Sequence, residues 1–164
     1  MEAPGQVTAA DGRQAGEGVM ATESRGGGNP PSEEIQDCEV RFDGGFGDVT
    51  RARLSAEKYL TTLERSAPPE TPEYRDDIVL VVTELAANAI QYAPGPFGLT
   101  MRRAFDGVHV TLSDTNSTPP APRPFHPGDG SGGGIGWYLI QTLCDQVSVV
   151  VREDGKDVHA FLPW

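Results

Sequence analysis

The chain has 164 residues, with 13 Lys and Arg against 24 Asp and Glu and a net charge of −11. That length suits one domain with a tail. The acidic excess argues against direct nucleic-acid or anionic-membrane binding, since both need a positive footprint.

No apolar run approaches the roughly 18 residues of a spanning helix, and no basic-then-apolar leader is visible at the start. Cys38 and Cys144 stand far apart with no Cys-x-x-Cys pattern, so neither a zinc site nor a disulfide framework is expected. The expected setting is a reducing cytoplasm.

Residues 1–36 contain no Leu, Phe, Tyr or Trp, yet hold 7 of the 20 glycines, and their two arginines face six acids. A stretch so poor in large apolar groups cannot offset the entropy of ordering itself, which predicts a disordered tail before a single domain at 37–164. Cys38, Val40 and Phe42 then alternate with polar residues as a short half-buried strand. After the Gly44–Gly47 turn, Asp48 is the expected N-cap of a first helix. Val49, Ala52, Ala56, Tyr59, Leu60 and Leu63 recur along it at helical spacing. A second helix is predicted from about Pro72 to Tyr92, stopped by Pro94-Gly95-Pro96. Strands Phe97–Phe105 and Val108–Asp114 follow, with a hairpin turn expected at Asp106-Gly107. Thr115–Gly134 is almost all turn formers, with five prolines and five glycines. A third helix is expected over Ile135–Asp145, with Leu139, Ile140 and Leu143 inward. A second hairpin closes the chain, Val147–Arg152 and Val158–Leu162, turned at Asp154-Gly155. Hairpins dominate this order, so the fold class is α+β: a two-layer sandwich of a largely antiparallel sheet covered on one face by helices.

Three groups of residues break the pattern. The second helix is apolar nearly all round, yet Glu84, Asn88 and Gln91 form one polar stripe at i, i+4 and i+7. Either that stripe faces water, or a carboxylate that handles a proton stands beside an amide oxygen that holds a hard cation such as Mg²⁺. Asp114 continues the parity of Val108, Val110 and Leu112 and so points toward the layer beneath the helices. It either ends the strand as a turn residue or accepts a hydrogen bond from an exocyclic amine such as adenine's. Last, Gly128-Asp129-Gly130-Ser131-Gly132-Gly133-Gly134-Ile135-Gly136 runs straight into a helix. A glycine run is either a flexible linker or a cradle whose amides, with the helix N-terminus, hold an anion.

Together these features resemble the GHKL (Bergerat-fold) ATPase superfamily, shared by gyrase, the Hsp90 chaperone, histidine kinases and MutL. Within it, they resemble the small bacterial anti-sigma factors that are serine-protein kinases. Thr83-Glu84-Leu85-Ala86-Ala87-Asn88-Ala89 is similar to that family's N box. Ser113-Asp114-Thr115-Asn116 stands at its first glycine box, Gly132–Gly136 at its second, and Gly155–Pro163 resembles its closing hairpin. The resemblance implies that Asn88 coordinates Mg²⁺, Glu84 is the general base and Asp114 binds the adenine of ATP. Asn116 would lie beside the base, and the amides around Gly132, Gly133, Gly134 and Gly136 would hold the phosphates. It also implies a sigma factor or an antagonist (anti-anti-sigma) protein as partner, and a homodimer through the first helix. Three positions depart from the family: Asn116 replaces a glycine, Lys156 stands where several relatives place an adenine-contacting threonine, and Gly134-Ile135-Gly136-Trp137 is a looser glycine box.

The function this implies is a Mg·ATP-binding regulator that phosphorylates a serine on its antagonist. The competing reading is a non-catalytic interaction module of the same fold. His109, His126 and His159 lie in no phosphoacceptor context, and Trp137 and Trp164 read as packing residues.

Overall fold

A computed structural model describes residues 36–121 and 134–164. The predicted loop segment that includes Gly128–Gly133, and the predicted tail up to Ile35, lie outside the described residues. In chain order the elements are β1 (Cys38–Phe42), α1 (Asp48–Ser66), α2 (Pro72–Tyr92), β2 (Phe97–Ala104), β3 (Gly107–Asp114), α3 (Ile135–Leu143), β4 (Gln146–Arg152) and β5 (Gly155–Pro163). The five strands form one sheet in the order β1-β2-β3-β5-β4, with every neighbouring pair antiparallel.

Strand parity decides what the sheet buries. Leu99 and Met101 of β2, Val110 and Leu112 of β3, and Val158, Ala160 and Leu162 of β5 share the inward face. Onto it pack Ala52, Ala56, Leu60 and Leu63 of α1 and Ile78, Val81, Val82, Leu85, Ala86 and Ala89 of α2, all in one apolar cluster. Each such Leu or Val contributes about 1.5–3 kcal/mol through its removal from water. Helix α2 lies between α1 and α3 and also touches β3 and β5, which is why it is apolar on most sides. Pro72 begins it at a position where no backbone N–H is needed. The C-terminus locks onto this body: Trp164 donates its backbone N–H to the Asp106 carbonyl at 2.9 Å and its indole N–H to the Ala67 carbonyl at 2.6 Å.

Three local expectations are corrected. Gly47, not Asp48, is the N-cap of α1. Asp48 turns its carboxylate back, and Oδ2 accepts the N–H groups of Gly44 and Gly45, both at 3.0 Å, while Arg51 approaches Oδ1 at 2.7 Å. Both hairpins turn one residue earlier than the Asp-Gly pairs suggest, at Phe105-Asp106 and Glu153-Asp154, because Ala104 pairs with Gly107 and Arg152 with Gly155. Phe105 therefore takes the left-handed backbone, φ 54°, while Gly107 is needed for space: a Cβ there would strike the Leu162 carbonyl and the Phe161 ring. Helix α3 ends at Leu143, two residues short of the expected end; Ile140 is buried and Leu139 and Leu143 are half-buried.

Candidate functional site

A cavity of about 330 Å³ opens between α2, the ends of β3 and β5, the connection after β3 and the start of α3. That is within the size range of small-molecule sites. Its lining includes Glu84, Asn88 and Gln91, so the polar stripe of α2 faces this cavity. The 3.6-residue period puts these side chains one turn apart on a single face, and the apolar remainder of the helix fixes that face by being buried elsewhere.

Asp114 points inward as its parity requires and is only 6% exposed. Its carboxylate is already engaged. The β3–β5 register places Lys156 directly opposite. The Lys156 ammonium lies 2.9 Å from Oδ2 and 3.0 Å from Oδ1, and it also donates to the Asn116 carbonyl at 2.9 Å. Asn116 donates its backbone N–H to Asp114 Oδ1 at 2.9 Å, which is the turn geometry Asp favours at a strand end. Asp114 thus closes a turn, as one of the two readings had it, and it also lines the cavity. Asn116 spans the gap to α2, donating Nδ2 to the Tyr92 carbonyl at 2.7 Å and accepting the Thr118 N–H at 2.9 Å.

Gly134 caps α3 with φ 124°, a conformation that favours glycine. The first bond of this helix runs from the Tyr138 N–H to the Gly134 carbonyl at 3.2 Å. The N–H groups of Ile135, Gly136 and Trp137 precede it and have no intrahelical acceptor. Gly136 makes room for Glu84: a Cβ on it would collide with Glu84 Oε2, so this carboxylate lies at the mouth of α3.

The structure thus brings Glu84, Asn88, Asp114, Asn116, Gly134 and Gly136 to one cavity. Gly132 and Gly133 lie outside the described residues. Lys156 joins the site, and the sequence held a signal for it: Lys156 shares the parity of Val158, Ala160 and Leu162 and must face the same layer as Asp114. Trp137 does more than pack, since it touches the core and also lines the cavity.

Other reactive groups lie elsewhere or are suppressed. Burial, with Asp145 and Asp77 nearby, pushes the Cys144 thiol up to about 12, which removes it as a nucleophile. His109 and His159 stack at 5.4 Å on the outward face of the sheet. His126 lies outside the described residues.

A five-stranded antiparallel sheet carrying helices on one face is the architecture of the GHKL ATPase fold. The family model for the histidine kinase-like ATPase domain matches residues 47–161, and the chain belongs to that family. A solved structure of the RsbU and RsbW domains of Rv1364c from Mycobacterium tuberculosis is similar with a TM-score of 0.57 and 13% identity. The match covers 78% of this chain and 32% of that one, so the chain spans about a third of that structure's length. The histidine kinase domain of the blue-light activated histidine kinase EL346 from Erythrobacter litoralis gives a TM-score of 0.42 and 19% identity over 68% of this chain and 60% of that one. No curated protein matches the chain. No helix among the described residues is long and apolar enough to cross a membrane.

Proposed function

We propose that this protein is a Mg·ATP-binding regulator of the anti-sigma type that phosphorylates a serine on a cognate antagonist protein and so controls transcription. The observation that carries this reading is the convergence of Glu84, Asn88 and Asp114 with the start of α3 on one cavity.

The residues present fit Mg·ATP. The Asn88 amide oxygen is a hard donor of the kind Mg²⁺ takes alongside phosphate oxygens. The amides that open α3, together with Gly134, suit anionic oxygens. The nucleobase would rest at the Asp114 end. When bound, Mg·ATP supplies the transferable phosphoryl group and neutralises its charge. Glu84 accepts the proton of the attacking serine hydroxyl on Oε2, and the absence of a side chain on Gly136 lets that carboxylate stand where the helix opens.

Purified protein, γ-labelled ATP and a candidate antagonist test the reading. Label is expected on serine, and Glu84→Gln is expected to lower transfer at least about 100-fold. Transfer unchanged in that variant removes Glu84 from the role.

A second reading is favoured by the ion pair of Lys156 with Asp114. It is a non-catalytic module that uses nucleotide, or none, to set its shape for a partner. It predicts stabilisation by Mg·ATP without turnover, or no stabilisation at all.

A further inference from the structure

Asp114 and Lys156 face one another across the last register pair of β3 and β5, each 6% exposed. An ammonium has three N–H donors. Three oxygens lie within 3.0 Å of Lys156 Nζ: Oδ1 and Oδ2 of Asp114 and the Asn116 carbonyl. All three donors are therefore engaged inside the protein. Asp114 Oδ1 receives both Lys156 and the Asn116 N–H, which fills its two lone pairs, so of the two oxygens only Oδ2 keeps one unfilled.

Hydrogen bonds to an ionised acceptor are about twice as strong as neutral ones. Here the ionised acceptor already has its counter-charge in contact. Beside this pair Gly155, with φ 159°, brings its backbone so close to the Asp114 carbonyl that a side chain would not fit.

We infer that Lys156 weakens nucleobase discrimination by pairing with Asp114, so that the sheet end of the cavity favours a purine with an amine at position six only slightly over one without it. This rests on the nucleotide reading above. A free buried carboxylate would favour the amino purine by about 10- to 100-fold, the worth of one hydrogen bond to a charged group. With Lys156 in place, that advantage shrinks to about threefold or less.

ATP and inosine triphosphate differ at this position, the amine of one being an oxo group in the other, and make the direct probe. Their Kd values with Mg²⁺ would be measured by calorimetry on the full chain, on Lys156→Thr and on Lys156→Thr/Asp114→Asn. The wild type is expected to bind both within about threefold. K156T is expected to prefer ATP by about 10-fold or more, and the double variant to lose that preference. Lys156→Gln keeps a donor on the carboxylate without the charge. It is expected to shift the ratio toward ATP, and this keeps the test open should K156T fold poorly. A wild type that already prefers ATP 10-fold, or a K156T or K156Q ratio equal to the wild type's, overturns the inference and leaves the nucleotide reading standing. Binding of neither nucleotide to any variant overturns the nucleotide reading itself.

Discussion

At the sheet end of the cavity Asp114, Lys156 and Asn116 hold one another, whereas at the helix end Glu84 and Asn88 have no side-chain hydrogen-bond partner among the described residues. Asp114 and Lys156 are buried, whereas Asn116, Glu84 and Asn88 are half-buried. Buried polar groups cost free energy unless they are paired, so the sheet end must be closed for the fold to persist. The helix end, half-buried, faces the cavity and is open to whatever enters it. Under the proposed function the first end keeps the shape and the second does the chemistry, and stability measurements can tell the two apart.

The largest expected effect is at the closed end. Lys156→Met leaves the Asp114 charge buried alone and should cost about 3–5 kcal/mol in urea unfolding, much of which returns in the Lys156→Met/Asp114→Asn double variant. Gly155→Ala should cost about 1–3 kcal/mol by the same measurement, because its Cβ would strike the Asp114 backbone. At the open end, Gly136→Ala should change stability by less than about 1 kcal/mol, since the group displaced is the flexible end of Glu84, yet it should lower phosphoryl transfer at least about 10-fold. Should K156M prove neutral and G136A strongly destabilising, the contrast is reversed and the account of the two ends fails.

The smallest effect lies outside the cavity and serves as its control. Burial, with His159 and Arg102 beside it, holds the His109 imidazole below its usual 6.5. As pH falls, the unfolded chain takes up this proton first. The contribution is therefore complete above about pH 6.5 and is lost as pH drops through the folded value. Thermal unfolding from pH 8 to 5 should show this slope, His109→Gln should flatten it, and Mg·ATP should leave it unchanged.

Much of this was readable from residue order because it rests on periodicity. The parity of Val108, Val110 and Leu112 carried Asp114 inward, and the bounds of α2 followed from Pro72 and the proline break after Tyr92. The two-layer architecture followed from the hairpins. What escaped was whatever depends on contacts between distant segments. Asp106-Gly107 and Asp154-Gly155 look like turn centres, but each glycine opens the next strand because of what packs above it: Leu162 and Phe161 over Gly107, Asp114 over Gly155. Asp48 has the composition of a cap, yet the tight glycine turn before it presents two N–H groups that its carboxylate meets instead. Lys156 lies 42 residues from Asp114, and only the β3–β5 register makes them partners.

The most direct test of the central claim, that a nucleotide seats between Asp114 and the mouth of α3, is differential scanning calorimetry with and without Mg·ATP on the wild type and Asn88→Ala. At about 100 times its Kd, Mg·ATP should stabilise the wild type by about 2.7 kcal/mol. In N88A, which should unfold like the wild type when no nucleotide is added, most of that gain should vanish. An unchanged wild-type unfolding curve, or an equal gain in N88A, would contradict the account.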